Sequence, residues 1–196
     1  MLEIILCLIL IFIILYVIYF IVYKNDNLIY VKSSLDSNYY WVRNTKDSDK
    51  AANMLAKIRK NMEKLIEHLK NTQDEHEDYI SYIKDLLKRT KEIYIMETPA
   101  DDKFTSYTVN KGEKIVFCLR SKVLETIHDL NTLMYVVIHE LGHVACPEFG
   151  HTPLFKKIFK FLLRESVKID IYVKTNYTIN PQYYCGMTIT EYLFDD

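Results

Sequence analysis

The chain has 196 residues, 49% hydrophobic and 26% charged, with 25 Lys and Arg against 26 Asp and Glu. That size suits one ordinary domain with an appendage, and the composition excludes a disordered or collagen-like chain. A balance this close to neutral also excludes a nucleic-acid binder working by bulk positive charge, so no nucleic-acid partner is expected.

Residues 4–23 follow a three-residue tip and contain no charged side chain, amide, Gly or Pro. At about 1.5 Å per residue such a run reaches roughly 30 Å, the hydrocarbon thickness of a bilayer. It therefore predicts a transmembrane helix, with the lipid bilayer as a partner. A signal peptide would have a basic start, a shorter core and a small-residue cleavage site, whereas this run starts after Glu3 and has none. Lys24, Lys32, Arg43 and Lys46 all follow the run, so the positive-inside rule predicts a single-pass membrane protein with a cytosolic C-terminal domain. Beyond the run lie Cys118, Cys146 and Cys185, an odd number that reads as free thiols. The glycosylation triplet Asn176, Tyr177 and Thr178 points the other way.

Residues 24–47 are polar, with an aromatic cluster at Tyr39, Tyr40 and Trp41, and read as a tether to a domain over 48–196. In that domain Ala51, Leu55, Ile58, Met62, Leu65 and Leu69 recur at helical spacing behind a cap at Ser48 or Asp49. A second helix is predicted over 77–88, with Ile80, Ile83, Leu86 and Leu87 inward, its acidic opening favoured by the helix dipole. Residues 92–97 alternate like a strand, and 105–109 and 113–119 flank a turn at Asn110, Lys111 and Gly112. Helices on a short antiparallel sheet make the fold class α+β.

The chemistry lies in residues 132–163. Leu133, Met134, Val137, Ile138 and Leu141 mark a helix that also carries His139, Glu140 and His143. Residues four apart differ by about 40° around a helix and about 6 Å along it, so the two imidazoles can converge on one ion. This is the H-E-x-x-H arrangement, in which two zinc ligands flank a general base. Gly142, inside the helix, costs about 1 kcal/mol relative to Ala and predicts close approach by another backbone or open space beside the metal. A catalytic zinc needs a third protein ligand. His151 is the leading candidate, because Pro147 and Gly150 turn the chain and Thr152 with Pro153 opens a new helix directly after it. Glu165 is the runner-up, ahead of Cys146 and Glu148. Tyr183 and Tyr184 are candidate oxyanion donors. The strand over 113–119 either offers an edge to an extended peptide or is internal to the sheet.

The segment from His139 to Phe155 resembles the zinc segment of SprT/WLM-type metallopeptidases, where an HExxH helix leads through a short loop to a third His and a helix opening with an aromatic residue. On that resemblance His139, His143 and His151 are zinc ligands, Glu140 is the catalytic base, and the fold is zincin-like. Residues 181–190 are also similar to the tails of metallopeptidase-like proteins of large DNA viruses, which implies a viral origin. The expected function is a membrane-anchored, zinc-dependent endopeptidase acting on protein or peptide. The alternatives are a non-enzymatic zinc-binding membrane scaffold and a hydrolase of a non-peptide amide.

Overall fold

The computed structural model describes residues 2–25, 28–121 and 125–194, with side chains over 5–19 and from residue 28 onward. Helix α1 (Leu2–Asn25) holds the apolar run, and its side chains from Ile5 to Tyr19 are exposed. Among the described residues, however, no helix is long and apolar enough to cross a membrane. The expected transmembrane helix is thereby overturned. The bilayer partner, the single-pass localisation and the cytosolic orientation all rested on it and fall with it.

Residues expected as a tether form a hairpin, β1 (Leu28–Lys32) antiparallel to β2 (Tyr39–Arg43). Side chains alternate across a strand, so Tyr40 and Val42 enter the core while Tyr39 and Trp41 stay outside against Tyr30. Helix α2 (Ser48–Thr72) buries the whole predicted stripe from Ala51 to Leu69. Its N-cap is Asp47, whose carboxylate pairs with Arg120 rather than capping. The acidic run beyond it makes two short 3-10 turns, and helix α3 (Ile80–Arg89) follows with Ile83 and Leu86 buried.

The central sheet has three strands, β3 (Tyr94–Glu97), β4 (Tyr107–Val109) and β5 (Lys114–Phe117), in the order β3-β5-β4. The sheet is mixed, not wholly antiparallel: β4 pairs antiparallel with β5 through the predicted turn, and β3 runs parallel to β5. Strand β5 is therefore internal, and β3 and β4 are the two edges, with the edge of β4 facing the site. Glu97 is fully buried at the end of β3, where its carboxylate accepts from Arg120 at 2.7 Å and lies 3.8 Å from Arg43.

Helix α4 (Leu130–Ala145) runs through the core, packed against α2, α3 and α5. Asp129 caps its N-terminus by accepting from the Thr132 amide at 2.9 Å. Helix α5 (Pro153–Lys168) opens on the predicted Thr152 cap and first-turn proline. The chain closes with a hairpin of β6 (Gln182–Tyr184) and β7 (Met187–Ile189), turning at Cys185 and Gly186 with φ of +48° and +92°. A disulfide joins Cys185 to Cys118 at the end of β5, and Cys146 is a buried free thiol. The expectation of three free thiols is thus corrected: leaving Cys146 unpaired satisfies an odd count as well as no pairing does.

Candidate metal centre

The three histidines singled out in the sequence come together. His139 and His143 project one turn apart from α4, and the chain reverses at Gly150 (φ +79°) to bring His151 over them. Their Nε2 atoms form a triangle, 3.2 Å from His143 to His139, 3.2 Å from His143 to His151 and 3.0 Å from His151 to His139. Nitrogens bound tetrahedrally at 2.0–2.1 Å would stand about 3.3 Å apart, so the triangle has the size that a first-row dication needs. Three ring nitrogens this close cannot all share protons with one another, and a cation satisfies all three lone pairs at once. Among the described residues this is the one cluster of such groups able to hold a metal ion.

One aromatic ring sets their orientation. Phe155 stacks on His143 at 4.1 Å and meets His139 and His151 edge-on at 4.9 and 5.0 Å. Gly142 makes room for it, since a Cβ there would lie 3.1 Å from Phe155 Cε2. The predicted close approach at Gly142 is therefore real, but its partner is a side chain rather than a backbone or the metal.

Glu140 is 5% exposed, and its Oε2 accepts from the Thr108 hydroxyl at 2.8 Å. Burial raises its carboxyl to about 7, against the lowering effect of that hydrogen bond. Burial, with His143 and His151 alongside, pushes the His139 imidazole down to about 3. Burial, His151 and Lys111 push His143 to about 4. Neutral imidazole is the form that binds a metal, so these shifts keep protons from competing.

The runner-up ligands lie elsewhere. Glu165 faces away from the triangle, accepting from His68 at 2.8 Å and Lys168 at 2.7 Å, with His76 at 3.6 Å. Burial alone would raise its carboxyl, but hydrogen bonds from Lys168 and His68 outweigh it and hold the carboxyl below its ordinary value. Cys146 and Glu148 contribute main-chain carbonyls instead, both accepting from Lys111 Nζ, at 2.8 and 2.7 Å. Of the two tyrosines, Tyr183 is 43% exposed, while Tyr184 is buried with its phenol 2.6 Å from Ser106 Oγ.

A cavity of about 730 Å³ opens over the triangle. Its floor is His139, Glu140, His143 and His151, and its walls are the free edge of β4 and strand β7. Thr108 and Lys111, neither of which the sequence marked as a site residue, both line it. Their partners are 32 and 35 residues away along the chain, so no local spacing could have exposed them.

The fold is shared with Wss1 of Saccharomyces cerevisiae. A crystal structure of a Wss1 mutant superimposes with a TM-score of 0.50 at 19% identity, covering 66% of this chain and 87% of that one. The likeness supports the WLM-type, metallopeptidase-like fold that the sequence resemblance implied, and at that identity it speaks for fold alone. The nearer relatives are viral. "Uncharacterized protein R325" of Acanthamoeba polyphaga mimivirus is 43% identical over 162 residues, 83% of this chain and 82% of its own. "Uncharacterized protein 136R" of Invertebrate iridescent virus 6 is 37% identical over 86 residues, 43% of this chain and 45% of its own. The chain belongs to the family of the mimivirus protein. No protein-family model matches it.

Proposed function

We propose that the chain is a zinc-dependent endopeptidase whose metal ligands are His139, His143 and His151 and whose general base is Glu140. The observation that carries this reading is the triangle of Nε2 atoms, no side longer than 3.2 Å, with a buried carboxyl on the same helix turn. Zinc at such a site supplies Lewis acidity and brings water within reach of deprotonation near neutral pH. Glu140 accepts the proton of the attacking water and passes it to the departing amine.

The cleft also suits an extended polypeptide. Strand β4 is a sheet edge and β7 belongs to a two-stranded ribbon, so each offers main-chain groups to a strand laid between them. Tyr135 and Val136 on α4, with Met187 and Ile189 on β7, give that strand an apolar wall for one side chain.

The test is metal analysis of the purified protein, followed by comparison of newly formed peptide termini in a proteome treated with the parent or with Glu140→Gln. The proposal expects about one zinc per chain in both proteins and new termini with the parent alone. A parent that takes up no zinc, or a variant that generates the same termini, would overturn it. A zinc-loaded parent that cleaves nothing would favour the scaffold alternative.

A further inference from the structure

We propose that the β4–β5 hairpin is a two-point brace on the metal centre, in which Thr108 orients the Glu140 carboxylate and Lys111 holds the loop that delivers His151. The Thr108 half rests on the peptidase reading above; the Lys111 half rests on metal binding alone. Both residues act through others and are positioning residues.

Thr108 is the middle residue of β4, paired opposite Ile115 of β5, so its backbone is fixed by the sheet. Its hydroxyl reaches across to α4 and donates to Glu140 Oε2 at 2.8 Å. A carboxylate has two nearly equivalent oxygens and a freely turning terminal torsion. A donor anchored on a separate element chooses one rotamer and engages one oxygen, leaving the other for proton transfer. The strand that positions the carboxylate is also the free edge beside the cleft, so base and substrate are located by one rigid element.

Lys111 sits in the turn between β4 and β5, where Asn110, Lys111 and Gly112 have φ of +47°, +57° and +122°. This left-handed run swings the turn onto the end of α4. Gly112 fits there because a Cβ would meet Val144 Cγ1 at 3.0 Å and the Arg89 carbonyl at 3.2 Å. From this seat Lys111 Nζ donates to the carbonyls of Cys146 and Glu148 at 2.8 and 2.7 Å and lies 4.3 Å from the centre of the Phe149 ring. Those carbonyls follow the last turn of α4, where orphan acceptors and the negative end of the helix dipole favour a cation. Residues 147–151 are exposed, and Lys111 clasps them to the hairpin at the point from which His151 must fold back.

The test is a double dissociation, with zinc affinity measured by chelator competition and peptide hydrolysis split into kcat and KM. Thr108→Val keeps the shape of the side chain and removes the donor. It should leave zinc affinity within about twofold and lower kcat about tenfold or more at unchanged KM, since a hydrogen bond to a charged group has that magnitude. Thr108→Ser should restore kcat. Lys111→Met keeps the stem and removes the cation, and zinc affinity should fall about tenfold or more, as for other groups that support metal ligands.

Hydrolysis by Thr108→Val at the parental rate, or no recovery in Thr108→Ser, overturns the first half. Parental zinc affinity in Lys111→Met overturns the second. If either variant fails to fold, Thr108→Ala and Lys111→Gln take its place with the same expectations. A zinc-loaded parent that is inactive, or as active with Gln at 140, sinks the peptidase reading and the Thr108 half with it. Zinc affinity still decides the Lys111 half.

Discussion

Replacing Glu140 by Gln tests the electrostatics of the centre apart from its chemistry. The carboxyl is 5% exposed, and burial raises it from 4.5 to about 7. A carboxyl with a higher pKa folded than unfolded holds its proton more tightly in the folded chain. Its stabilising effect is complete below 4.5, is lost as the pH rises towards 7, and is absent above that. A gap of about 2.5 pH units corresponds to about 3 kcal/mol. Glutamine keeps the shape, and its amide oxygen still accepts from Thr108, but it never ionises. Metal-free Glu140→Gln protein should therefore exceed the metal-free parent in stability by up to about 3 kcal/mol at pH 8, and by less than about 1 kcal/mol at pH 5. Urea unfolding followed by circular dichroism in a chelating buffer, at several values across that range, measures the difference. A gain that does not change with pH, or no gain at pH 8, would refute the reasoning.

Four further outcomes follow from the packing. His151→Ala should weaken zinc binding more than about 100-fold in chelator competition, beyond the range for supporting groups. Glu165→Ala should leave it unchanged and instead lower the melting temperature, because it strips the acceptor from His68 and Lys168. Reducing the Cys118–Cys185 bridge, which closes a loop of 67 residues, should cost about 4 kcal/mol in urea unfolding with and without a dithiol. Gly142→Ala gains about 1 kcal/mol of helix propensity, but its methyl would press on Phe155 at 3.1 Å. A net loss of about 1 kcal/mol with weaker zinc binding is expected, and a higher melting temperature would count against the contact.

What was legible in the sequence was local. The α2 stripe, the Thr152 cap with Pro153, the turn at Gly112 and the HExxH spacing each depend on neighbours within a few residues, and each appears where expected. The approach of His151 to His139 and His143 was legible for the same reason, since only a short loop separates it from α4. Pairings set by tertiary structure were not. Strand β3 is separated from β5 by the whole of β4, so its parallel register left no trace in the alternation of residues 92–97. The bridge from Cys118 to Cys185 spans 67 residues and was hidden by an odd cysteine count. Glu165 sits at a ligand-like distance in sequence but turns to the opposite face of α5, toward His68 of α2. The apolar run was plain in composition, but among the described residues no helix is both long and apolar enough to cross a membrane.

The pKa shifts at the centre share one direction. His139 is pushed to about 3, His143 to about 4 and Glu140 to about 7, with burial the largest cause in each. Each shift favours the uncharged form, so near pH 6 these groups sit in the core without a charge to desolvate. Uptake of a dication affects them unequally. The two imidazoles are already deprotonated and give up nothing, whereas a positive charge nearby draws Glu140 toward its ionised form. On the proposed reading the ligands would be ready before the metal arrives, and Glu140 would acquire its charge because the metal is there. That order depends on depth. It requires α4 to be buried on nearly every face around these residues, because on an exposed turn water would hold imidazole and carboxyl alike near their ordinary values.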